Sequence, residues 1–131
     1  MTRDQMLAMI ELLERMRDLR HLWIEEPAGE PLTDMSLFLM RRHLTGQVTT
    51  PTSLAQASGL AYTTATRRVT EMQQKGLLDY RPRTRTGRSF SVHPSPLLIA
   101  KMTSLLTSTQ AAIAASTLGK PGAKRAAREP Q

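Results

Sequence analysis

Thr63, Arg67, Thr70 and Gln74 follow steps of four, three and four, a spacing that puts them on one stripe of an α-helix. Thr64, Thr66 and Arg68 flank the stripe, and Tyr62, Ala65, Val69 and Met72 form an apolar stripe opposite that is expected to face inward. No carboxylate pair, nucleophile pair or metal-ligand spacing accompanies the polar groups. Their chemistry is recognition. A guanidinium offers a fork of N–H donors that fits the two acceptors of a guanine edge, hydroxyls and amides bond bases or phosphates, and a threonine methyl packs on the methyl of thymine.

A second basic group follows. Arg81, Arg83 and Arg85 are two apart, so they share a face if a strand extends that far, and Arg88 lies across the turn. Four guanidiniums on a narrow hairpin suit phosphate contacts or insertion into a narrow minor groove. Pro82 lacks an N–H and suits an edge. The chain carries a formal charge of +7, unevenly spread. Residues 1–30 hold four arginines against seven acids, whereas residues 61–93 hold seven Lys/Arg against two acids. A charge concentrated in one short block points to a polyanion as partner.

The elements that position these groups can be read from periodicity. Met6, Met9, Leu13, Met16, Leu19 and Trp23 mark an amphipathic helix over residues 4–26, ended by the Pro27–Pro31 segment. A second helix is expected from a cap at Thr33 or Asp34 to Leu44, stopped by Gly46. A third, Ser53–Ser58, is expected to be capped by Thr52; Gly59 makes a turn, and Tyr62–Lys75 is helical, with Gly76 at its end. Ala55 is small where these two helices must approach closely. Leu54, Leu60, Ala65, Val69 and Met72 can close a miniature core. The period then becomes alternating: Leu78 and Tyr80, a polar tip over Thr84–Arg88 that contains Gly87, then Phe90 and Val92. Pro94 and Pro96 open a final helix to about Leu118. Residues 119–131 lack an apolar face and are expected to be a disordered basic tail.

Two short helices around a glycine turn, followed by a basic hairpin, is the element order of a winged helix-turn-helix. The expected class is mainly α (α+β). One domain spans residues 1–118 with its core at about 33–93, a two-stranded basic wing, and long N- and C-terminal helices that pair across a two-fold axis. An enzyme is not expected: Ser53, Ser58, Ser89 and Ser91 lack a nucleophile's neighbours, and no phosphate-binding glycine loop is present. His21, His43 and His93 are scattered, and no cysteine is available for zinc or a disulfide. No cofactor is expected. No apolar run approaches the roughly 20 residues that cross a bilayer, and residues 1–4 lead into no signal-peptide stretch. The expected setting is therefore cytoplasmic, without a membrane partner.

The run Leu54-Ala55 … Gly59-Leu60 … Thr66-Arg67-Arg68 … Lys75-Gly76-Leu77-Leu78 resembles the winged-helix core of MarR-type bacterial transcription regulators, over about residues 33–93. The resemblance implies a homodimer built by the terminal helices, double-stranded DNA as partner, and a wing in the minor groove. It implicates Tyr62, Thr63, Thr66, Arg67 and Arg68 on the helix and Arg83, Arg85 and Arg88 in the wing. The sequence departs from the family at Thr84–Arg88, where the usual wing aspartate is missing, and at His93–Pro96, where a Leu-Thr helix start is replaced. A small-molecule effector is left open. So are two alternatives, a winged-helix adaptor for protein contacts and a non-specific nucleic-acid-binding module.

Overall fold

The computed structural model describes residues 1–24 and 31–115, with side chains for 1–18 and 31–115. The chain is mainly helical with one two-stranded antiparallel sheet. Its elements are α1 (Arg3–Ile24), α2 (Pro31–Leu44), α3 (Pro51–Gln56), α4 (Tyr62–Gln74), β1 (Leu78–Pro82), β2 (Phe90–Pro94) and α5 (Pro96–Ala115). The expected extension of the first helix to residue 26, that of the last helix beyond Ala115, and the tail at 119–131 lie outside the described residues.

Local chemistry sets the boundaries. Thr2 and Gln5 cap α1 reciprocally: the Gln5 N–H donates to Thr2 Oγ1 at 3.1 Å, and the Thr2 N–H to Gln5 Oε1 at 2.9 Å. Helix α2 starts at Pro31, so Thr33 and Asp34 lie inside its first turn and not at the position before it. A proline is well placed there because the first helical N–H has no intrahelical acceptor. The same rule corrects α3. Pro51 occupies its first turn, and the cap is Thr50, not Thr52; Thr50 Oγ1 accepts from the Ser53 N–H at 3.1 Å while Ser53 Oγ accepts from the Thr50 N–H at 2.9 Å. At the end of α4 the Leu77 N–H reaches back to Met72 O and the Gly76 N–H to Gln73 O, both at 3.0 Å. That closure needs a left-handed residue, and Gly76 supplies φ +75°.

Helix α2 is the hub. Met35, Leu37, Leu39 and Met40 are all buried, and α2 packs against α1, α3, α4, α5 and β2. The core adds Leu54 and Ala55 from α3, Ala65, Val69 and Met72 from α4, Leu78 and Val92 from the strands, and Leu98, Met102 and Leu106 from α5. Leu60 packs against it partly buried. Among the described side chains of α1 the fully buried residue is Ile10, outside the expected apolar set. Met6, Met9 and Leu13 are partly buried and Met16 is 46% exposed; Leu19 and Trp23 fall among residues whose side chains are not described. Charged residues of α1 also reach α2: Glu14 lies 3.4 Å from Arg41, and Arg17 lies 3.6 Å from Asp34.

Helix α5 corrects another expectation. It is long and apolar enough, by length and composition, to cross a membrane, although no such stretch was expected. Its serines and threonines break up the apolar residues without adding charge, and Lys101 is its one charged residue. Leu98, Met102 and Leu106 form the stripe it gives to the core, while Leu97 and Leu105 are exposed.

Candidate nucleic-acid interface

Helices α3 and α4 are joined at Gly59, whose φ of +71° a side chain would strain. Ser58 fills the bend: its hydroxyl donates to Ala55 O at 2.7 Å and accepts from the Leu60 N–H at 3.1 Å. Ala55 is buried at this close approach. Ala65, Val69 and Met72 pin α4 to the core by one stripe, so the opposite stripe is turned outward. Thr63, Arg67, Thr70 and Gln74 are all exposed, as their spacing required. Thr64 and Thr66 are partly buried beside them.

Three expectations about α4 change. Tyr62 does not join the inward stripe; it is 73% exposed, because the first residue of α4 overhangs the core that begins at Ala65. Arg68 is not a free cation, since its guanidinium lies 3.1 Å from Glu71 one turn on. Thr66 and Thr70 spend their hydroxyl protons on the helix itself. Thr66 Oγ1 donates to Thr63 O at 3.0 Å, and Thr70 Oγ1 donates to Thr66 O at 3.1 Å. At its other end α4 is open: Ala61 makes no side-chain cap and no acid occupies the first turn. The positive end of the helix dipole is thus left uncompensated beside Thr63.

The hairpin grows out of the core. In the register Leu78↔Pro94, Asp79↔His93, Tyr80↔Val92, Arg81↔Ser91 and Pro82↔Phe90, the Leu78, Tyr80 and Val92 side is buried or half-buried. Exposure rises outward along β1, and Tyr80 and Phe90 meet edge to face at 6.2 Å. The strand ends at Pro82, earlier than the arginine alternation allowed. Arg83 still donates its N–H to Ser89 O at 2.7 Å, but Thr84–Gly87 form a turn. Arg85 therefore sits in the tip and does not share a strand face with Arg81. Arg81, Arg83, Arg85 and Arg88 are all exposed. At the base of the hairpin, burial and then Arg81 and His43 hold the His93 imidazole below its ordinary pKa, and Ser91 Oγ lies 2.8 Å from its Nε2.

Charge pairing separates two classes of arginine. Arg3, Arg15, Arg17, Arg41 and Arg68 each lie within ion-pair distance of an acid. No described acid pairs with Arg67, Arg81, Arg83, Arg85 or Arg88. Arg42 also lacks an acid among the described residues, but its guanidinium is engaged by Phe38, Thr49 and Val48; the five others belong to the two features whose spacing had drawn attention, the α4 stripe and the hairpin.

Sequence reasoning missed the residues that hold the two features together. Arg42 stacks over the Phe38 ring, with its guanidinium carbon 5.4 Å from the centroid; it donates to Thr49 Oγ1 at 3.2 Å and to Val48 O. Thr49 is buried, and its carbonyl accepts from the Val92 N–H of β2 at 2.8 Å. Ser95 donates from Oγ to Gly76 O at 2.6 Å and accepts from the Leu98 N–H at 3.2 Å, so one hydroxyl starts α5 and ties it to the end of α4. Pro94 and Pro96 are expected from the sequence to open the helix, Ser95 has no part in that expectation, and nothing local flags its bond across 19 residues. No family model matches the chain, and no curated protein or solved structure matches it.

Proposed function

We propose that this chain is a winged helix-turn-helix that binds double-stranded DNA sequence-specifically as a homodimeric transcription regulator. In this reading α4 enters the major groove. Arg67, Thr70 and Gln74 meet base edges, while Tyr62, Thr63 and Thr64 at the open end of the helix meet phosphate. Arg81, Arg83, Arg85 and Arg88 hold the backbone or enter the minor groove. Arg68 supports the helix through Glu71 and reaches phosphate only by leaving it.

The observation that carries this reading is the segregation of arginines. A solvated surface scatters its acids among its bases, as α1 does. The outward stripe of α4 and the hairpin leave five guanidiniums without an acid among the described residues. Leaving such groups unpaired costs little on a wet surface and favours a partner that brings its own anions. The homodimer draws support from exposed apolar residues on both terminal helices, Met1 and Met16 from the N-terminal side and Leu97 and Leu105 on α5. Two copies related by a two-fold axis would present two recognition helices about one helical turn of DNA apart.

Selection of bound duplexes from a random pool tests the proposal. The expected result is a palindromic motif whose half-sites are centred about 10 base pairs apart. Recovery of sequences with no shared motif would overturn sequence-specific recognition, and a motif without two-fold symmetry would overturn the dimer.

A further inference from the structure

Threonine can serve a groove in two ways. Its hydroxyl can donate to a base acceptor, or its methyl can pack on an apolar group. A hydroxyl has one proton, so a hydroxyl that donates to the helix backbone cannot also donate to a base. In α4 this choice is already made at two positions one turn apart. Thr66 donates to Thr63 O and Thr70 to Thr66 O. Each Oγ1 is thereby turned back toward the preceding turn. With χ1 stiff in a β-branched residue, the methyl occupies a second staggered well and stands clear of that carbonyl. Thr63 differs. Its hydroxyl has no hydrogen-bond partner among the described residues and keeps its proton.

We infer that Thr70, assisted by Thr66, is a specificity residue that reads the C5 methyl of thymine and not a hydrogen-bonding edge. The inference rests on the reading of α4 as a major-groove helix. Thymine O4, adenine N7, and guanine O6 and N7 all require a donor, which a back-bonded threonine lacks; its lone pairs still accept, as those of Ser58 do, so adenine N6 and cytosine N4 are the hydrogen-bonding groups that compete with the thymine methyl, and deletion of that methyl separates the two. Thr70 is exposed on the outward stripe, three residues from Arg67, whose guanidinium has no acid partner among the described residues. The two side chains are neighbours on the helix surface. Arg67 takes a guanine and Thr70 packs on the methyl of a nearby thymine, so each half-site holds a G and a T within a step or two of each other.

The experiment uses the full chain and a duplex selected from a random pool. The duplex is resynthesised with one thymine at a time replaced by deoxyuridine, which deletes the methyl and leaves every hydrogen-bonding group in place. Binding is read by fluorescence anisotropy. The expected result is a roughly fourfold loss at one thymine per half-site, the effect of one methyl-sized apolar contact, and little change elsewhere. Thr70→Val keeps the methyl and removes the hydroxyl; it should bind the thymine duplex like the parent and retain the deoxyuridine penalty. Thr70→Ser keeps the hydroxyl and removes the methyl; it should bind both duplexes alike. The position is exposed, so both variants are expected to fold, and circular dichroism checks that they do. Tight binding indifferent to deoxyuridine at every position overturns the inference and leaves the DNA-binding proposal standing. So does a Thr70→Val variant that loses binding while Thr70→Ser keeps it. Failure to bind any duplex overturns both.

Discussion

Salt dependence tests the charge segregation most directly. Replacing Arg83, Arg85 and Arg88 together with glutamine removes three exposed guanidiniums that no described acid pairs with. Each phosphate contact contributes about 0.9 to the slope of log affinity against log salt. The triple change should therefore flatten the slope by about 2.7 per chain, and by about twice that when both hairpins of a dimer engage. With Arg81 also on phosphate and Arg67 on a base, the parent should lose about 150-fold in affinity per chain between about 50 and 200 mM salt, and the variant only about fourfold. Anisotropy titrations of a labelled duplex across that range measure both slopes. Arg15→Gln is the control, because its charge already faces Glu11 at 3.3 Å on α1. Folding should not interfere, since the hairpin arginines are exposed and support no ion pair among the described residues. An unchanged slope in the triple variant, or an equal flattening by Arg15→Gln, would refute the assignment of the hairpin to phosphate.

Arg67→Ala should relax preference at one base position by about 1–3 kcal/mol, whereas Arg85→Ala should weaken selected and random duplexes alike; competition binding with single-base variants separates the two. Leu54→Ala empties a fully buried position and should lower stability in urea melts by about 2–5 kcal/mol. Thr50→Ala removes one half of the α3 capping box and should cost about 1 kcal/mol in the same assay. His93 is held below the ordinary imidazole value of 6.5 in the folded state, so as pH falls through that value the unfolded chain takes up a proton that the folded chain resists. Stability should therefore decline on acidification below about pH 6.5 and be independent of this group above it. His93→Gln should flatten that decline, and an unaltered pH profile of thermal melting would count against the site.

What could be read from the sequence was what depends on neighbours along the chain. Ala65, Val69 and Met72 recur at helical spacing and are buried; Gly59 and Gly76 stand where the backbone needs positive φ. The exposure of Thr63, Arg67, Thr70 and Gln74 followed from the same geometry. Tyr62 escaped because periodicity assigns a direction but not the extent of the core. Arg85 escaped because alternation does not say where a strand stops, and the Thr84–Gly87 turn stops it. The Thr50 cap was available in principle: a proline at 51 makes the preceding threonine the cap. Arg68 and Glu71, three apart on a helix, were available too. The contacts of Arg42 with Thr49, of Thr49 with Val92, and of Ser95 with Gly76 were not. Each depends on a chain reversal that only the packed core defines.

Those non-local bonds decide whether the α4 stripe and the hairpin act as one surface. The two features are linked directly by the short Gly76–Leu77 connection, which alone would let the hairpin swing. Three constraints oppose that. Ser95 holds Gly76 O at 2.6 Å and Leu77 O accepts from the Ser95 N–H at 3.0 Å, so the connection is fastened to the start of α5. Thr49 O holds Val92 at 2.8 Å, so β2 is fastened to the segment that caps α3. Arg42 and Phe38 fasten that segment to α2, the hub. At about 0.5–1.5 kcal/mol per bond, no single one is decisive, but a swing of the hairpin relative to α4 breaks several at once and uncovers Leu78 and Val92 as well. Preorganisation of this kind lowers the cost of ordering the interface on binding. Ser95→Ala should accordingly weaken duplex binding more than its distance from the arginines suggests, with the loss largest for the hairpin-dependent part of the salt slope. Equal slopes for Ser95→Ala and the parent, at equal fraction folded, would mean that the hairpin needs no such anchoring.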